Sequence, residues 1–171
     1  MDVVMIGLRL LHILGGVFWV GSSLMLGGFL TPAIQASGPA GGQVMQRLMT
    51  GTRYGSVVGL SGLVTMLAGL LLYFRVSGGL QPAWITTATG LTLTLGGVAG
   101  IAAGAIGGGV AGRTAQKIGQ LNAAIGNSPG TPGEAQLVEL RTLQQRMKQA
   151  QLWSIALMIV AVAAMAVARY L

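Results

Sequence analysis

The chain has no cysteine, one histidine, three acidic residues and few aromatics, which make up 5% of its 171 positions. Without cysteine there are no disulfides, no thiolate metal sites and no thiol nucleophile. Charged residues account for 8% of the chain, against roughly a quarter in a soluble globular domain, and that is too little to build a water-facing surface. The three acids are Asp2, Glu134 and Glu139, and none lies inside an apolar run. That disfavours a proton relay or a carboxylate-coupled transporter, both of which need ionisable groups within the membrane. No basic face with interleaved aromatics appears, so nucleic acid is not an expected partner.

Apolar residues are plentiful, at 53%, and they are gathered into four long runs rather than spread at the period of half-buried elements. The runs cover about 3–30, 54–74, 84–110 and 152–170, each long enough for the roughly 17 to 25 residues of a spanning helix. Tyr54, Tyr73, Phe74, Trp84, Trp153 and Tyr170 fall at run ends, where amphipathic rings anchor to the membrane interface. The first run starts on an acid and is too long for a cleaved leader, so it reads as a retained helix. These features predict an all-α integral membrane protein, a single domain folded as an up-down four-helix bundle in contact with membrane lipid.

The net charge of +7 is distributed unevenly. Arg47 and Arg53 follow the first run, and Arg113, Lys117, Arg141, Arg146 and Lys148 lie between the third and fourth, leaving Arg9, Arg75 and Arg169 for the other side. The positive-inside rule makes the two basic loops cytoplasmic and both termini external. Between the third and fourth runs, Ile118, Leu121 and Ile125, then Leu140, Leu143 and Met147, repeat at helical spacing on either side of a Gly/Pro-rich turn over 126–133. A cytoplasmic helical hairpin over about 111–151 is therefore expected to extend the third and fourth helices, with Glu134 suiting the positive end of the returning helix. Val44, Met45, Leu48 and Met49 around Arg47 read as a short amphipathic surface helix or a loop.

His12 lies inside the first run. Ionisable side chains there are costly and usually face the protein interior. Leu8, His12, Gly15, Trp19, Ser22 and Leu26 form one stripe, and Gly15 and Gly16 leave a notch beside the imidazole. Two readings stand. In one, His12 is the axial ligand of a flat cofactor lying on the glycines, haem b in preference to copper. In the other, it donates a structural hydrogen bond to a neighbouring helix. Arg9, one turn earlier, either pairs with an anionic ligand group or snorkels to the interface. The methionines near the spans lack the close spacing that would make a copper site. In the third run, Gly96, Gly100, Gly104 and Gly108 recur every fourth residue, a nearly bare face for close approach of another helix, a second copy or a partner subunit.

The segment Leu11-His12-Ile13-Leu14-Gly15-Gly16-Val17-Phe18-Trp19-Val20-Gly21, followed by Pro32, resembles the opening helix of a bacterial membrane superfamily. That superfamily contains copper-resistance-protein-D-like proteins, uncharacterised four-helix proteins and HemJ-type protoporphyrinogen oxidases. The likeness is best to the uncharacterised four-helix group. It implies a bacterial cytoplasmic membrane and makes His12 the counterpart of the family histidine proposed to bind haem in the oxidase branch, with Trp19, Gly21 and Pro32 shaping the helix; Arg9, Gly15, Gly16 and Trp19 are the residues the stripe places around such a cofactor. The competing reading is a non-catalytic accessory or assembly subunit of a larger membrane complex, or a homodimer, packing through the glycines of the third helix. The balance of features is against an enzyme.

Overall fold

A computed structural model of the chain describes residues 2–127 and 132–171 and is helical almost throughout. Helix α1 covers Val3–Ala36, α2 Gly38–Thr50, α3 Tyr54–Val76, α4 Pro82–Ile85, α5 Ala88–Asn127 and α6 Glu134–Tyr170, with no strand among the described residues. The turn expected over 126–133 lies partly outside the described residues, at 128–131.

Helices α1, α3, α5 and α6 are each long and apolar enough to cross a membrane. Their surface fits that environment. Leu14, Val17, Leu60, Val98 and Trp153 each expose well over half of their area, while the buried positions are chiefly alanines such as Ala68, Ala99, Ala103 and Ala161. Large apolar groups outside and small ones inside invert the soluble pattern, as expected where lipid is the solvent and helices meet through small residues. These features are consistent with a multi-pass membrane protein.

The four helices associate as two antiparallel pairs, α1 with α3 and α5 with α6, joined by sparser contacts. Caps fix the ends of each pair. Asp2 Oδ1 accepts from the Val4 and Met5 N–H groups at the start of α1, and its Oδ2 accepts from Arg75 at the end of α3, 2.8 Å away. Thr87 caps α5 by accepting from the Gly90 N–H at 3.0 Å. Between α3 and α4 the backbone turns through Gly78 and Gly79 at φ 64° and 83°, the left-handed region that glycine enters without penalty.

Two long helices change pitch on the way. Met25–Leu30 in α1 and Ala105–Ala111 in α5 are π-turns, both rich in glycine. The first explains why α1 does not stop at Thr31-Pro32. Pro32 has no N–H, and the wider turn before it, in which the Thr31 N–H reaches back to the Leu26 carbonyl, leaves room for the ring. The helix therefore runs on to Ala36. Both π-turns meet α6 at one level: methyl groups added at Gly27 and Gly107 would lie 2.6 Å from Gln151 Nε2 and 3.1 Å from Ser154 Oγ.

Candidate functional site

The chemistry-bearing residues of the first span all meet α3. His12, nine residues into α1 and so about 14 Å from its start, is half-buried, and its Nδ1–H donates to the Thr65 carbonyl oxygen at 2.8 Å. A carbonyl only accepts, so Nδ1 carries the proton and Nε2 is left without a hydrogen-bond partner among the described residues. The ring lies on Gly69, where a methyl group would come within 2.7 Å of Cε1. One heptad along, Trp19 covers Gly62, whose added methyl would sit 3.0 Å from the indole Cε2. Two large rings thus enter two glycine gaps of the same sevenfold spacing, a knobs-into-holes register.

The backbones approach closely between these rings. A methyl at Gly15 would fall 2.6 Å from Thr65 Oγ1 and 3.3 Å from the Ser61 carbonyl, and one at Gly16 would lie 3.4 Å from Thr65 Cγ2. Thr65 is buried, and its hydroxyl donates to the Ser61 carbonyl at 2.7 Å. At the far end of the seam the Tyr54 hydroxyl donates to the Ser22 carbonyl at 3.0 Å. The notch at Gly15 and Gly16 is therefore occupied by Thr65. Beside Gly15 an open apolar groove of about 390 Å3 is lined by Leu11, Leu14, Phe18, Val57 and Ser61, and the Nε2 of His12 stays without a hydrogen-bond partner among the described residues. Arg9 is not drawn into this cluster. It is exposed and makes no ion pair or hydrogen bond among the described residues, whereas Arg75 is the cation that pairs, with Asp2. Among the described residues no group of three or more His, Cys, Asp or Glu gathers to hold a metal.

The glycine line of α5 divides among neighbours, because fourfold spacing drifts around a 3.6-residue helix. Gly96 is buried against Ala161, Ala164 and Met165 of α6, and a methyl at Gly100 would lie 3.8 Å from Ala161 Cβ. Gly104 faces the other pair, where a methyl would collide with Met66 Cε and approach Trp19. Gly108 is exposed, with open space above it. The ridge that meets α6 is instead Gly96, Ala99, Ala103 and Gly107, closed by the buried Ser154, which donates to the Ala103 carbonyl at 2.9 Å. The expected single packing face is thus three environments.

Sequence reasoning missed Thr65, Gly62 and Gly69 as the partners of His12 and Trp19. The signal was present, since both residue pairs are seven apart. A further cross-pair link, the Tyr73 hydroxyl against Thr94 Oγ1 at 2.5 Å, ties α3 to α5 near the aromatic end, where Tyr73 and Trp84 meet edge to face at 5.6 Å. Comparison with protein-family models, with curated proteins and with solved structures finds no match to this chain.

Proposed function

We propose that this is a four-span membrane protein that acts by association, as a non-catalytic subunit of a membrane assembly, rather than by chemistry at its histidine. In this reading the helices stand as an up-down bundle. The basic loops and the hairpin formed by Gly112–Asn127 and the first half of α6 lie on the cytoplasmic side, and both termini lie outside. The observation that carries the reading is the commitment of polar groups within the spans: His12, Thr65, Ser154, Tyr73 and Thr94 each hydrogen-bond within or between this chain's own helices. Gly55 and Gly59 supply an outer surface for a partner helix. They are exposed, one turn apart on α3, and nothing lies within 4 Å of a methyl group added at either. Glycine weakens a helix by about 1 kcal/mol relative to alanine, a cost that a close-packed neighbour offsets.

The test is the mass of the protein–detergent particle after mild extraction, by light scattering with the detergent contribution subtracted. A particle larger than one chain, reduced to a single chain by Gly55→Leu with Gly59→Leu, supports association through α3. A wild-type particle of one chain, or a larger one unchanged by the double substitution, contradicts it.

A second reading rests on the His12 tautomer. Nδ1–H held by a carbonyl, with Nε2 free, is the arrangement found behind metal-bound imidazoles. Haem, or copper, bound through Nε2 would give an optical or metal signature that His12→Ala removes.

A further inference from the structure

Where α5 and α6 leave the apolar region, a cavity of about 410 Å3 opens between them. Its floor is Ala105, Gly109 and Val110, and its outer wall, the rim, carries Arg113, Lys117 and Arg146 with Leu143 beside them. We propose that this cavity binds the phosphodiester headgroup of an anionic phospholipid, with the three cations on the phosphate and the floor against the glycerol and upper acyl carbons.

The position follows from helix lengths. From Ala88, about 20 residues at 1.5 Å each cross the roughly 30 Å hydrocarbon core, which brings α5 to the interface near Gly108, inside the π-turn Ala105–Ala111. On α6 the same distance back from Ala168 ends near Lys148, beside Arg146. Rim and floor therefore straddle the boundary, the rim in the headgroup layer and the floor at the edge of the apolar layer.

The charge is uncompensated. No carboxylate lines the cavity, and the one ion pair among the described residues, Asp2 with Arg75, belongs to the opposite end of the spans. Thr114, also in the wall, donates its hydroxyl to the Val110 carbonyl at 2.7 Å, so the wall's hydrogen-bonding capacity toward an anion rests with the cations. Two Arg forks and one ammonium match a phosphate's oxygens, and basic pockets between helices at the cytoplasmic face are a recognised way to hold lipid headgroups. The π-turn makes the space: it widens α5 where glycine leaves the surface bare, and a methyl at Gly109 would meet nothing within 4 Å. The volume falls within the roughly 300–1,000 Å3 range of small-ligand sites. An apolar floor adds nothing to the binding of free phosphate, and that favours the lipid.

This inference rests on the membrane placement proposed above, so the same preparation is first scored for fractionation with membranes; recovery in the soluble fraction would overturn the placement separately from the site. The full chain is then titrated in neutral detergent with phosphatidylglycerol or phosphatidylcholine of equal chain length, and retained lipid is counted by native mass spectrometry. One tightly retained phosphatidylglycerol is expected, undisplaced by millimolar inorganic phosphate. Arg113→Gln and Arg146→Gln should each weaken retention about fivefold, the value of one basic residue near a charged headgroup. Gly109→Leu fills the cavity without altering charge, and it should abolish retention while leaving the melting temperature intact. Arg141→Gln with Lys148→Gln removes two charges outside the cavity and should leave retention unchanged. Equal retention of both lipids, displacement by inorganic phosphate, an unaffected Gly109→Leu, or an equal loss in the Arg141/Lys148 control would each overturn the proposal.

Discussion

The two helix pairs solve one problem in different ways. Between α1 and α3 the contact is large against absent, with His12 on Gly69, Trp19 on Gly62 and Thr65 over Gly15. Between α5 and α6 it is small against small: Gly96, Ala99, Ala103 and Gly107 meet Ser154, Ala161 and Ala164. Rings seated in glycine gaps fix one register, because sliding by a turn drives them into side chains. Small-on-small contact gains mostly from close backbone approach and tolerates sliding. The seam with the fixed register also holds the chain's one histidine and, at Gly15, the tightest glycine contact between α1 and α3. The other pair continues beyond the apolar region, where Arg113, Lys117 and Arg146 surround a cavity.

Filling the tightest contact of the α1–α3 seam should break the comparison most. Gly15→Leu forces Thr65 and the Ser61 backbone away, and overpacking of this kind costs about 1–3 kcal/mol. The melting temperature in detergent should fall markedly, while Gly21→Leu, on the same helix and with nothing within 4 Å of an added methyl, stays near wild type. Gly96→Leu comes next, at the lower part of the same range, because the atoms it meets on α6 lie 3.2 to 3.3 Å away rather than 2.6 Å. An equal or larger drop than for Gly15→Leu would reverse the ranking of the two seams.

Removing hydrogen bonds should matter less. Interhelical hydrogen bonds in membranes are worth about 0.6 kcal/mol on average and reach about 1.7. His12→Ala loses one together with ring packing on Gly69 and should fall toward the upper figure. Ser154→Ala loses one within a small-residue contact and should sit near the average. Asp2→Asn should have the smallest effect, under about 1 kcal/mol. The ion pair with Arg75 is half exposed on both sides, and asparagine still caps α1. Raised salt should erase the difference between Asp2→Asn and wild type while leaving His12→Ala unchanged.

The apolar runs made the long helices legible, because twenty residues without charge have few other uses. The first run was expected to end near residue 30, short of Pro32, and the helix runs on for a physical reason: a proline ends an α-helix, but the Met25–Leu30 π-turn before it removes the clash, and nothing in Met-Leu-Gly-Gly-Phe-Leu announces a π-turn. The stripe of Leu8, His12, Gly15 and Trp19 was readable as an interior face. What it faces was not, since a glycine notch looks the same in sequence whether a cofactor or Thr65 fills it. The Gly96 to Gly108 line was read as one surface, but the drift of fourfold spacing sends Gly96 to α6, Gly104 to Met66 and Gly108 outward. The cavity between α5 and α6 depends on Arg113 and Arg146, which lie far apart in sequence and line one space only when the two helices pair.

The central claim is that the intramembrane imidazole serves helix packing. Its most direct test is the absorption spectrum of the full chain purified in mild detergent from haem-replete membranes, recorded beside the His12→Ala protein and its melting curve. The account predicts no haem band in either protein and a lower melting temperature for His12→Ala. A Soret band in the wild type that disappears in His12→Ala would contradict it.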